Sequence, residues 1–198
     1  MISIVVFIFA IVIHELAHGY AAFLLGDNTA KDAGRLTFNP IAHADPVGTV
    51  LLPAILLISH SPVVFGWAKP VPINPLNFRE PRKGMFLTAV AGPAANFMCA
   101  VLAALFFKTG IFPAYSVVWV FLLSMIIINL ILGIFNLLPV PPLDGSNLLV
   151  AVLPEAFAWR YMRLQKYGFI VLIGLLYLGF FEKGILPLAA FLTRVLVG

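Results

Sequence analysis

The chain has 198 residues, 62% hydrophobic and 10% charged, with a mean hydropathy of +1.07. Soluble domains are closer to half apolar and a quarter charged, so a soluble globule is excluded and an integral membrane protein is expected. The net charge of +4 comes from basic residues held mostly in loops, where they orient a membrane chain rather than bind nucleic acid.

The first apolar tract runs from Ile2 to Leu25. It lacks a basic leader and a small-residue cleavage site, so no cleaved signal peptide is expected. Residues 26–46 read as loop with a short strand at "GRLTFNP", where polar and apolar residues alternate up to Asn-Pro. A second tract, Val47 to Ile58 with an extension towards Phe65, is short and carries Pro53. "GWAKPVPINPLNF" reads as extended, with prolines that confine it to an edge or a turn. The third tract, Met85 to Phe107, holds Cys99, the single cysteine, so no intrachain disulfide can form. The fourth spans Val117 to Leu138. The fifth, Gly168 to Val197, is interrupted near Glu182, Lys183 and Gly184 and reads as one long tilted helix or two short ones.

A spanning helix needs about 20 apolar residues, which tracts one, three and four supply. Lys31, Arg35, Lys69, Arg79, Arg82 and Lys83 lie between tracts one and three, and Arg160, Arg163 and Lys166 follow tract four. Only Lys108 lies between tracts three and four. If tract two does not cross, the basic loops fall on one side, as the positive-inside rule expects. The expected topology has its N-terminus outside and loops 26–84 and 139–167 in the cytosol. Tract two then dips in from the cytosolic side or lies in the interface. The expected fold class is an all-α integral membrane protein, a bundle of about 4–6 transmembrane or partly inserted helices with short cytosolic β or extended segments. A single domain over residues 1–198 is expected.

The costly residues in tract one are His14, Glu15 and His18, in "VIHELAHGYAAF". Ionisable groups at that depth face a cavity or a partner. His14-Glu15-Leu16-Ala17-His18 is an HExxH pattern: residues four apart share a helix face, so both imidazoles can reach one metal, and Glu15 can take a proton from a water held there. A catalytic zinc takes three protein ligands and keeps one open position. The extended pattern with a third histidine fails, because position 21 is Ala and position 24 is Leu. His43 and His60 remain, with His43 read as a loop residue rather than a ligand. Most of the acids lie in polar loops. Asp144 differs: it sits in "NLLPVPPLDG", where Pro139, Pro141 and Pro142 stop the helix and force an extended turn that can aim it back at tract one. Read by itself, that run is equally an ordinary helix exit.

HELAH in one membrane tract and NLLPVPPLDG in a later one resemble the site-2 protease family of intramembrane zinc metalloproteases. "AGPAANF", Ala91 to Phe97, is similar to that family's Gly-Pro-x-x-Asn segment, and "NPIAHADPVGTVLLP", Asn39 to Pro53, to a stretch of its compact prokaryotic branch. The resemblance covers Val12 to about Leu149, with 167–198 as a helical tail. It implies one Zn2+ per chain on His14, His18 and Asp144, with Glu15 as general base. It implies that Asn136 donates a hydrogen bond to the developing oxyanion, and that Asn96 either does the same or ties helices together. The chain starts almost at the catalytic tract, so a preceding helix and a PDZ or CBS domain are expected to be absent.

The implied function is hydrolysis of peptide bonds within or near transmembrane helices of membrane-protein substrates, at a hydrated cleft opening to the cytosol. His14 lies about 18 Å along the helix from Ile2, past the midplane towards the basic side. The segment 69–76, through Val71 and Ile73, is a candidate to pair with an unwound substrate strand by edge addition. Expected partners are a transmembrane protein substrate and membrane lipid in a multi-pass cell-membrane protein, with a second copy of the chain as a further candidate and no nucleic acid. The alternatives are a membrane zinc-binding or transport protein, which needs a polar path through both leaflets, and an inactive scaffold, which has no use for Glu15.

Overall fold

The computed structural model describes residues 1–59 and 66–198; His60 and the extension of tract two to Phe65 lie outside the described residues. Among the described residues, three helices are each long and apolar enough to cross a membrane: α1 (Ile2–Leu24), α4 (Pro81–Lys108) and α5 (Val117–Asn136). Between α1 and α4 lie the short helices α2 (Thr29–Asp32) and α3 (Leu52–Ile58). After α5 come α6 (Asp144–Val152), α7 (Glu155–Arg163), α8 (Gly168–Tyr177) and α9 (Leu186–Val197).

The ends of the long helices follow from local chemistry. At the end of α1, Gly26 adopts φ +105°, a left-handed conformation that an L side chain resists. Pro81 opens α4 at a position where its missing N–H costs nothing. Ser116 caps α5 by accepting from Trp119 N–H at 3.2 Å. Pro139, three residues beyond the last residue of α5, cannot continue it.

α1, α4 and α5 pack against one another. His18 meets Thr88 and His14 meets Asn96, so α1 and α4 run antiparallel. Asn96 meets Asn129 and Phe107 stacks near Trp119, so α4 and α5 do the same. The buried core combines Val6 of α1, Ala100, Ala103 and Ala104 of α4, Met125, Ile126 and Leu130 of α5, and Ala189 of α9. Alanines on α4 let helices approach closely where lipid removes the hydrophobic incentive to associate. Ile4, Phe7, Ile8, Leu105, Phe106 and Val117 face outward, as a lipid-facing surface requires.

The antiparallel order puts the segment between α1 and α4, and the segment after α5, at the same end of the bundle. Both basic clusters therefore share that end, and Lys108 lies at the other. Pro46–Ile58, a π-helical turn leading into α3, is too short to cross. The last apolar tract is two helices: the stretches Glu155–Tyr177 and Phe181–Val197 meet at 67°. The corner is at Gly179, φ +75°, a few residues before the interruption expected near Glu182.

No strand forms among the described residues, which corrects the short strand expected at "GRLTFNP". Residues 36–38 make bends, and Asn39 caps the turn Pro40–His43 by accepting from Ile41 N–H at 3.0 Å. The neighbouring extended segment 66–74 offers its Lys69 carbonyl to the Arg35 side chain instead of to a backbone ladder, so a strand has no partner there.

Asp27 also departs from expectation: it is a buried knot rather than a solvated loop acid. It is 0% exposed and accepts from Thr29 N–H at 3.0 Å, the Thr29 hydroxyl, Asn74 N–H at 2.7 Å and Asn77 Nδ2 at 2.7 Å. Burial pushes its carboxyl pKa up, but the hydrogen bonds from Thr29, Asn74 and Asn77 outweigh that and hold it below the usual carboxylate range. Because the folded pKa is depressed, its stabilisation is present above about pH 4 and is lost as the pH falls through the folded pKa. Asp27→Asn places an amide against donors and should cost about 2 kcal/mol at pH 7. Thermal unfolding in detergent should show that deficit at pH 7 and show it shrinking towards pH 3.

Candidate metal centre

His14 and His18 stand one turn apart on α1, with ring centroids 4.6 Å apart at 84°. Their Nε2 atoms are separated by 3.0 Å. Asp144 Oδ2, 126 positions from His18, lies 3.0 Å from His14 Nε2 and 3.2 Å from His18 Nε2. Both histidines are buried and Asp144 is partly exposed, so the group opens on the Asp144 side.

The turn after α5 places the carboxylate. Leu143 N–H donates to Val140 O and Ser146 N–H to Leu143 O, closing a compact corner from which α6 starts at Asp144. A Cβ at Gly145 would sit 2.2 Å from Leu137 O, so only glycine lets α6 begin against the end of α5.

The second nitrogens define the chemistry of the first. His18 Nδ1 is 2.7 Å from Thr88 O, an acceptor that requires Nδ1–H. His14 Nδ1 is 2.7 Å from Asn96 Oδ1. Asn96 Nδ2 donates to Ala10 O at 3.2 Å and to Asn129 Oδ1 at 2.8 Å, and Asn129 Nδ2 donates to Met125 O at 2.8 Å, so neither amide can turn over. His14 therefore also carries its proton on Nδ1. In the neutral rings both Nε2 atoms present lone pairs to each other and to a carboxylate oxygen. Three acceptors within 3.2 Å repel unless a cation joins them. A tetrahedral zinc with bonds of about 2.0 Å has ligand edges of about 3.3 Å, close to these separations. The residues fit zinc, and Asn96 and Thr88 supply the outer partners that metal-binding imidazoles use to fix tautomer and ring orientation.

Glu15 is not one of the three ligand atoms; its Oε2 accepts from Val71 N–H at 2.9 Å. Asn96 spends both amide hydrogens within the bundle, so it orients His14 and has no donor left for an oxyanion. Asn136 closes α5 and donates from Nδ2 to Leu132 O at 3.0 Å; a primary amide has a second hydrogen, for which no partner exists among the described residues. Of the two residues expected to pair with substrate, Val71 is buried and its amide donates to Glu15. Ile73 keeps an amide without a partner among the described residues, and Pro70 and Pro72 have none. His43 is a loop residue as expected, though buried at 2% exposure, with Nε2 2.9 Å from Thr37 O.

Asn129, the Thr88 carbonyl and the Val71 amide adjoin the site without belonging to any motif in the sequence. An asparagine in the middle of tract four was the one visible signal. A backbone group is present at every position and carries no sequence mark.

Residues 112–179 match the family described as peptidase family M50, a span that contains α5, Asn136 and Asp144. "Putative zinc metalloprotease YwhC" of Bacillus subtilis is 38% identical over 86% of this chain and 77% of its own length. "Putative zinc metalloprotease Rip2" of Mycolicibacterium smegmatis is 28% identical over 83% of this chain, which spans 62% of that relative. The Rip2 protein of Mycobacterium tuberculosis is 27% identical over 67% of this chain and 50% of its own length. No solved structure matches the chain.

Proposed function

The chain belongs to peptidase family M50, and on that footing we propose that it hydrolyses peptide bonds within or beside transmembrane helices of membrane-protein substrates, using one zinc ion per chain. The observation that carries this is the convergence of His14 Nε2, His18 Nε2 and Asp144 Oδ2 inside an apolar bundle, with their lone pairs turned to one point.

Zinc bound there supplies a Lewis acid for a peptide carbonyl and for water. His14, His18 and Asp144 hold it, and Asn96 and Thr88 keep the imidazoles in the required tautomer. Glu15 takes the proton of the attacking water and passes it to the leaving amine. Asn136 donates its spare amide hydrogen to the oxygen on which charge develops, an interaction worth about 3 kcal/mol where such donors have been removed from other enzymes. The outward faces of α1, α4 and α5 are apolar, so a substrate helix can approach them from lipid. A helical substrate must unwind first, because its peptide groups are occupied by internal hydrogen bonds. The active site faces the end of the bundle that carries the basic clusters, which the positive-inside rule assigns to the cytosol. Peptide hydrolysis needs water, and that end supplies it.

Purified protein in liposomes should carry one zinc per chain and cut a single-span reporter. A chelator should abolish cleavage and added zinc should restore it, while Asp144→Ala should bind no zinc. Zinc flux across the vesicle wall with an intact reporter would replace this reading with transport.

A further inference from the structure

Segment 66–74 lies extended along the end of α1 and is tied down on both sides of Val71. Lys69 N–H donates to His43 O at 2.9 Å, the Arg35 guanidinium donates to Lys69 O at 2.6 Å, and Asn74 N–H donates to Asp27 at 2.7 Å. Between these anchors Val71 N–H donates to Glu15 Oε2 at 2.9 Å. The Val71 side chain is 6% exposed and packs where Gly19 leaves room: a Cβ there would lie 3.2 Å from Val71 Cγ1.

The local sequence is Pro70-Val71-Pro72. Each proline fixes its own φ and lacks an N–H, and Pro72 confines Val71 to extended backbone. The strap is therefore stiff before it folds, and the only amide within Pro70–Pro72 is the one given to Glu15. Glu15 Oε1 has no hydrogen-bond partner among the described residues.

Resting on the peptidase reading, we infer that the Val71 amide is a positioning group for Glu15: it engages Oε2 and so selects Oε1 as the oxygen that receives the proton of water. A glutamate has three rotatable side-chain bonds, and ordering them costs conformational entropy that a charge-assisted hydrogen bond from a rigid strap offsets. The strap thus does more than cover the cytosolic end of α1. It transmits the placement of Asp27, Arg35 and His43 to the base, and any movement of residues 69–74 changes the orientation of Glu15.

Two variants remove the amide. Val71→Pro does so by mutation in a segment already extended. Replacing Val71 by its α-hydroxy acid turns the N–H into oxygen and keeps the side chain, so it decides the matter if the proline variant folds poorly. Both should keep one zinc per chain and a KM within about twofold of the parent on the single-span reporter, with kcat reduced roughly 10- to 100-fold, the scale of a hydrogen bond to a charged group. Independently of turnover, the Val71 amide should exchange with deuterium at least about tenfold faster in Glu15→Ala than in the parent, with and without zinc. Equal exchange in the two proteins overturns the contact. Parent-like kcat in the ester variant overturns its purpose, as does a loss confined to KM. A rise in kcat overturns it too, since the amide would then be withholding the base. A parent that cuts no reporter sinks the peptidase reading itself, and the exchange comparison still reports on the contact.

Discussion

Glu15→Gln should abolish reporter cleavage and leave zinc in place. The carboxylate lies outside the three atoms that converge on the metal point, so metal content should match the parent. Glutamine has the same length, and its side-chain oxygen can still accept from Val71 N–H, so the strap stays seated. What it loses is the capacity to take a proton. General-base removal costs roughly 10²- to 10⁴-fold in other enzymes, which puts the variant near the detection limit of a gel-based assay. Zinc analysis of the same preparation separates this from misfolding. A variant that retains parental turnover removes Glu15 from the chemistry and with it the peptidase mechanism.

Gly92→Ala should empty the metal centre while leaving the bundle folded. A Cβ at position 92 would lie 2.3 Å from His18 Nε2, 2.6 Å from His18 Cε1 and 2.7 Å from His14 Cε1. The methyl group would occupy the space of the ligand atoms themselves. His18 cannot swing clear without losing its bond to Thr88 O, nor His14 without breaking the Asn96–Asn129 chain. Zinc content should fall below about a tenth of the parent, because ligand misplacement exceeds the 10- to 100-fold penalty of disturbing an outer partner. In the interior of a helix, alanine is favoured over glycine by about 1 kcal/mol, which offsets part of the cost of displacing the imidazoles, so the metal-free variant should still unfold cooperatively, at a modestly lower temperature than the metal-free parent. Loss of metal without loss of fold is the distinguishing result. Full zinc occupancy in Gly92→Ala would mean that α4 does not approach the histidines as closely as the structure has it.

What shows in the sequence and what does not divides along the range of the interactions. His14 and His18 were legible because helix periodicity is local: a spacing of four puts two side chains on one face whatever the rest of the chain does. Asp144 was less legible: three prolines end a helix wherever they stand, but the same run is equally an ordinary exit, so the missing third ligand and the resemblance singled out its carboxylate, and its place 3.0 Å from His14 depends on α5 packing beside α4 and α1. The three spans were legible from length and hydropathy, and the corner in the last tract only approximately, since Gly179 and not the charged residues supplies the turn. Asp27 was misjudged as solvated because its four donors arrive from residues 29, 74 and 77, and burial is not encoded by neighbours in sequence.

By itself the sequence determined the solvent the protein lives in, the three long spans, and a pair of imidazoles with a carboxylate between them. All three follow from composition and from periodicities shorter than two helical turns. Tertiary structure alone decided which carbonyl and which amide set the histidine tautomers, which glycine must lack a methyl group, and which backbone N–H reaches Glu15. Those choices rest on contacts between backbone or small groups tens of positions apart, and only the antiparallel register of α1, α4 and α5, with the strap laid across the end of α1, brings them within hydrogen-bonding distance.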